Sequence, residues 1–224
     1  MRDFRINLIF EGTSEIMRLF IAREAVDHHF KTAFDVVNPK ASKAEKWAAL
    51  VRSAKYYPGW YAKRWIGGFD RYGEFGRLAK HMRYVAGTTR KLGRSIFHAM
   101  IKLGPTLERR QMVLFRAVDI GAELFAMSAA CVRAQMLVKR GDTNAVDLAD
   151  LFCREARLRI ADSFRMLFGP NDASIYRVSQ QVLRGEFTWL EAGIVDEMLT
   201  ATVSASTKRE RRPAIRREEA GVGD

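Results

Sequence analysis

Long apolar runs are missing from this chain, as are clustered cysteines, clustered histidines and strand-like alternation. No uninterrupted apolar stretch approaches the roughly 18 residues that a membrane-spanning helix needs. Met1 to Phe20 is broken by Arg2, Asp3, Arg5, Glu11, Glu15 and Arg18, which excludes a signal peptide. Cys131 and Cys153 lack metal-ligand spacing and sit in apolar helical patterns, so they read as buried free thiols and not as a disulfide. His28, His29, His81 and His98 form no metal constellation either, and the sequence supplies no metal site. This combination points to the cytoplasm, or to a position peripheral to the inner face of a membrane.

A hydrophobic content of 48% over 224 residues is enough to bury a core in one domain, or in a domain with an appendage. The net charge of +12 is unevenly placed: residues 40 to 116 hold 18 Lys and Arg against 4 Asp and Glu, more than the whole excess. The same region carries Trp47, Trp60 and Trp65, with Tyr56, Tyr57, Tyr61 and Tyr72 interleaved.

Apolar residues recur at spacings of three and four almost throughout, which predicts an all-α fold. The first helix is expected to start at Thr13 or Ser14, with Glu15 in the first turn suiting the positive end of the dipole and Ile16, Leu19, Phe20 and Val26 as its buried stripe. Asn38 and Pro39 end that unit, and Ser42 caps a second helix expected to stop near Pro58 and Gly59. Helical stretches follow at about 74–103, 106–139, 144–168, 173–183 and 187–199, separated by Gly, Pro and Asn-Asp turns. Long helices joined by short turns pack as an antiparallel bundle. Phe115, Val118, Ala122, Phe125 and Met127 are its predicted core face, and the charge-rich tail from Ser204 is predicted to be disordered.

The run IFEGTSEIMRLFIAREAVD, residues 9 to 27, resembles the active-site segment near the C-terminus of acyl-CoA dehydrogenases. The resemblance extends from RDFRIN through EGTSEIMR to AREAVD. It implies that Glu11 is the base that removes the α-proton of a fatty acyl-CoA thioester. The β-hydrogen leaves as hydride to the N5 of FAD, and the product is a trans-2-enoyl-CoA. Such a site must raise the carboxylate's pKa by burial and lower that of the substrate by hydrogen bonds to the thioester carbonyl. The resemblance assigns the Glu11 amide as one of those donors, Phe10 as part of the apolar wall, and Gly12 as the point where backbone approaches substrate. Thr13, Ser14 and Glu15 match positions that touch FAD at a helix N-terminus. Arg18 and Arg23 align with basic positions of the motif but read equally well as surface ion-pair residues.

Later stretches, FRAVDIGAELFAMSAACVRAQ and LADLFCREARLRI, resemble the extra C-terminal helical domain of the longer, very-long-chain type of acyl-CoA dehydrogenase. The implied organisation is the end of the catalytic helical domain over 1–37, an additional helical bundle over 38–203, and the basic tail over 204–224. Family members place an N-terminal helical domain and a central β-domain before the glutamate. The implied function is therefore the C-terminal portion of an FAD-dependent enzyme that oxidises long-chain acyl-CoA in β-oxidation, incomplete and inactive alone. Its implied partners are fatty acyl-CoA, an electron-transfer flavoprotein or equivalent acceptor, and a second copy in a homodimer.

The basic aromatic region has three readings. It is a solvated charged face over the bundle, or a membrane surface with Lys55, Lys63 and Arg64 at anionic headgroups and Trp60, Tyr61 and Trp65 at the interface. The third reading, nucleic-acid binding, lacks a recognition motif. The rival to the enzyme reading as a whole is a non-catalytic helical module for membrane interaction or assembly.

Overall fold

The computed structural model describes residues 12–37, 40–68 and 70–190. Among the described residues six helices follow one another: α1 (Ser14–Val37), α2 (Lys43–Trp65), α3 (Ala79–Leu103), α4 (Gln111–Val138), α5 (Ala145–Arg165) and α6 (Asp172–Leu183). Short 3-10 segments at Gly73–Leu78, Gly104–Arg109 and Thr188–Leu190 complete the order, and no strand occurs among the described residues. The all-α expectation holds. Met1–Pro170 forms one compact unit and Asn171–Asp224 a second. In the second, α6 leaves Tyr176, Val182 and Leu183 exposed, and Arg184 pairs with Glu186 just beyond it.

α4 is the spine of the first unit and contacts α1, α3 and α5, while α2 lies on α1 and α3. Its buried residues step by four and three: Val113, Ala117, Ile120, Leu124, Met127, Cys131 and Ala134. α5 answers with Ala149, Cys153, Ala156 and Ile160. The two helices run antiparallel, because Glu123 bonds to Arg159 while Cys131 meets Cys153. Alanines at alternate steps let the backbones approach, and each larger apolar side chain buried there contributes about 1.5–3 kcal/mol. The buried face differs from the sequence expectation. Met127 and Val118 are buried and Phe115 half-buried, but Ala122 is exposed and Phe125 is 76% exposed. Apolar residues stand on both sides of α4, and composition alone did not say which side α5 takes.

α1 begins at Ser14, within one residue of expectation, but buries Ala22, Val26 and His29 and leaves Ile16 and Phe20 exposed. Its contacts with α2 and α4 select that face. At Ser42 the capping box is complete: the hydroxyl accepts from the Glu45 amide at 3.2 Å, and Glu45 accepts from the Ser42 amide at 2.7 Å. α2 then runs through Pro58 to Trp65, past the stop expected there. Proline removes one helical hydrogen bond, at a cost of about 3 kcal/mol in a helix interior. Here Pro58 sits on the exposed side, while Tyr57, Trp60 and Tyr61 anchor both flanking turns against α3. Asn38, Pro39, the helix expected at 187–199 beyond Leu190, and the basic tail lie outside the described residues.

Candidate functional site

The EGTS segment meets α1 at its first turn. Gly12 has φ +107°, a conformation that glycine reaches without strain, and an added Cβ would stand 3.1 Å from Met17 Sδ. The Thr13 carbonyl accepts from the Met17 amide at 3.0 Å, which makes Thr13 the N-cap. The amides of Ser14, Glu15 and Ile16 precede that first helical bond, leaving a positive helix end open to a polar group. Thr13 and Ser14 are half-buried and Glu15 is exposed. This arrangement fits one edge of a polar cofactor such as FAD. Glu11 and Phe10 lie outside the described residues.

Arg18 serves the fold. Its Nε donates to Asp119 Oδ1 on α4 at 2.8 Å, and its guanidinium lies 5.9 Å from the Phe115 ring. That is the surface ion pair anticipated from sequence. Arg23 is exposed. Beside Arg18, an apolar groove of about 360 Å³ runs between α1, α3 and α4, with Ile21, Val26, Leu92, Ile96, Val118 and Phe125 in its walls.

The six membrane-surface candidates on α2 divide into two groups. Trp60 faces inward, edge-on to His29 at 4.9 Å and against Phe97 at 5.4 Å. Tyr61 also turns to α3, where its hydroxyl and His98 Nε2 share a hydrogen bond of 2.9 Å. Neighbouring Tyr57 shares a hydrogen bond with His29 Nδ1, and burial raises its phenol above the ordinary range. Arg64 is half-buried over Trp60. Lys55, Lys63 and Trp65 face outward, Trp65 at 63% exposure.

Sequence reading missed what accompanies Trp65. Trp47, Leu50, Val51, Ala54, Pro58 and Trp65 are all exposed and fall on one side of α2 at helical spacing. Both faces of this helix are therefore apolar, one packed and one open, with Lys43 and Lys55 beside the open one. The signal was available in the three- and four-residue steps from Trp47, which the proline obscured.

A buried polar knot was also missed. His81 on α3 is fully buried, and its Nε2 donates to Asp150 Oδ1 of α5 at 2.8 Å. Lys80 and Arg154 add ion pairs to the same carboxylate, both at 2.7 Å. These cations and His81 hold Asp150 far below the usual carboxylate range. Cys131 and Cys153 are free and buried, with Sγ atoms 3.7 Å apart. The hydrogen bond between them lowers the Cys131 thiol and, with burial, pushes Cys153 far up. Among the described residues no group of three His, Cys, Asp or Glu side chains could hold a metal. No described helix is long and apolar enough to cross a membrane.

Residues 76–186 match the family model described as ACAD9/ACADV, C-terminal domain. The chain is also similar to the probable acyl-CoA dehydrogenase FadE10 of Mycobacterium bovis and to its counterpart in Mycobacterium tuberculosis strain H37Rv. In both cases 46% of 203 residues are identical, covering 88% of this chain and 31% of the relative. The chain thus spans about a third of the length of these curated relatives. No solved structure matches.

Proposed function

We propose that this chain, similar over residues 76–186 to the ACAD9/ACADV C-terminal domain and over most of its length to a probable acyl-CoA dehydrogenase, supplies the catalytic base and the C-terminal helices of an FAD-dependent enzyme acting on long-chain acyl-CoA. The observation that carries the proposal is the junction at Gly12. Its positive φ stands immediately before Thr13, the N-cap of α1, and one residue after Glu11 in the sequence.

In this reading Glu11 takes the α-proton of the thioester and its amide donates to the thioester carbonyl as negative charge develops there. Phe10 excludes water on one side, and Gly12 leaves room for the substrate. Thr13, Ser14 and Glu15 hold one edge of the flavin, with the helix end favouring its polar groups. Bound FAD would supply the hydride acceptor for the β-hydrogen. An electron-transfer flavoprotein or equivalent acceptor and a second copy of the chain in a homodimer complete the reading.

A chimera tests it. This chain replaces the matching 31% of the mycobacterial relative, and a long-chain acyl-CoA is mixed with the flavin-loaded product. Bleaching of the oxidised flavin supports the proposal. A flavin-loaded chimera that is not reduced, beside a parent that is, contradicts it.

The outer face of α2 favours a second role in the same protein, peripheral contact with an anionic membrane. Trp47 and Trp65 stand at its two ends, and Lys43 and Lys55 are exposed along it. Long-chain substrates partition to bilayers, so such contact suits the proposed chemistry. Alone, without the catalytic reading, it describes the helical membrane or assembly module.

A further inference from the structure

Three arginines, Arg64, Arg90 and Arg94, lie around the end of α2. Arg94 of α3 donates from Nη1 to the carbonyl of Arg64, and its guanidinium lies 4.1 Å from the Trp65 ring centroid. The Arg64 stem rests against Gly93, where an added Cβ would stand 3.9 Å from both Cδ and Nε. Arg90, one turn before Arg94, lies on the bare backbone of Gly67 and Gly68, its Nη2 and Nη1 within 3.5 and 3.7 Å of where their Cβ atoms would be. All three arginines are half-buried.

None of the three meets a carboxylate at ion-pair distance among the described residues, although Asp70 stands nearby with Oδ2 3.3 Å from the Gly68 Cβ position. Arg18, Arg77, Arg154 and Arg159 each pair with Asp or Glu. The C-terminal end of α2 supplies about half a negative charge. Even with Asp70 counted in full, the cluster keeps an excess of about +1.5, in a half-buried place where like charges repel strongly. A phosphate monoester carries about −1.5 to −2 at pH 7. The planar fork of arginine matches two phosphate oxygens at once, and the three glycines clear the approach.

We propose that Arg64, Arg90 and Arg94 form a binding site for a phosphate ester, presented either by a soluble diphosphate-bearing molecule or by a phosphomonoester lipid headgroup. The site involves neither Glu11 nor flavin, and its test reads binding alone. The 224-residue chain is titrated calorimetrically with pyrophosphate at low ionic strength, and separately sedimented with phosphatidylcholine vesicles with and without phosphatidic acid. Arg90→Gln is compared with Arg133→Gln, which removes the same charge from an exposed place on α4. Arg90→Lys keeps the charge and loses the fork. Thermal melting confirms that each variant is folded.

Binding in either arm, weakened about tenfold or more by Arg90→Gln, partly by Arg90→Lys and hardly by Arg133→Gln, supports the site. Binding of pyrophosphate without vesicles identifies a soluble ester. Vesicle binding that requires phosphatidic acid identifies a headgroup. Failure in both arms, or equal weakening by Arg90→Gln and Arg133→Gln, overturns the proposal.

Discussion

His81 Nε2 and Asp150 Oδ1 lie 2.8 Å apart in the interior, and the other ring nitrogen of His81, Nδ1, is buried without a hydrogen-bond partner. With Asp150 ionised, Nε2 must carry the proton. The pair joins α3 to α5 across α4's end of the core, and Lys80 and Arg154 close over the carboxylate from outside. A bare Nδ1 is the cost of fixing one orientation of the ring.

Asp150→Asn is expected to destabilise the fold by about 3 kcal/mol, because it leaves three donors facing a neutral amide. The sign with pH follows from the depressed folded pKa. The stabilisation is fully present above the unfolded value of about 4 and is lost as pH falls from there towards the folded value. Urea unfolding at pH 7 and at decreasing pH checks both parts, the variant showing the shallower acid loss.

The seam between α4 and α5 predicts a contrast within two residues. Met127→Ala should cost about 2–5 kcal/mol, whereas Phe125→Ala should fall within about 0.5 kcal/mol of the parent. Chemical denaturation midpoints at equal slope measure both. The reverse ranking would mean that Phe125 faces the core.

On α2 the structure separates tryptophans that sequence reading had grouped. Trp65→Ala should weaken binding to phosphatidylserine vesicles while costing no more than about 1 kcal/mol of stability, from the lost Arg94 contact. Trp60→Ala should lower stability by about 1–3 kcal/mol, less than loss of a fully buried ring, because Trp60 packs on His29 and Phe97. Replacing Lys55 and Lys63 should remove the salt-sensitive part of vesicle binding, about 1 kcal/mol for each charge near the surface.

The purified 224-residue chain should be colourless. The described start of α1 offers a cofactor only the helix end, Thr13, Ser14 and Glu15. An absorption spectrum with a stoichiometric flavin band would show that these helices hold FAD unaided.

Helix existence was legible from the sequence because five of the six described helices run for 21 to 28 residues between turn signals. The side each presents was not. α4 and α2 have apolar residues on both faces, so partners decide, and the core face expected at Phe125 was misassigned for that reason. The run through Pro58 was hidden because local propensity argues for a stop, while the aromatic anchors that override it lie on α1 and α3. His81 and Asp150 are 69 residues apart, and no local pattern joins them. At the candidate site, by contrast, the motif carries the chemistry and the structure adds the turn at Gly12 and the open helix end.

The most direct measurement is anaerobic rapid mixing of the flavin-loaded chimera with a long-chain acyl-CoA, comparing the parent sequence with Glu11→Gln. The amide keeps the size of the side chain and cannot act as a base. Flavin and acyl-CoA binding should persist while flavin reduction slows by about 10²–10⁴ or more. Reduction of the Glu11→Gln flavin at the parental rate would show that another group takes the α-proton.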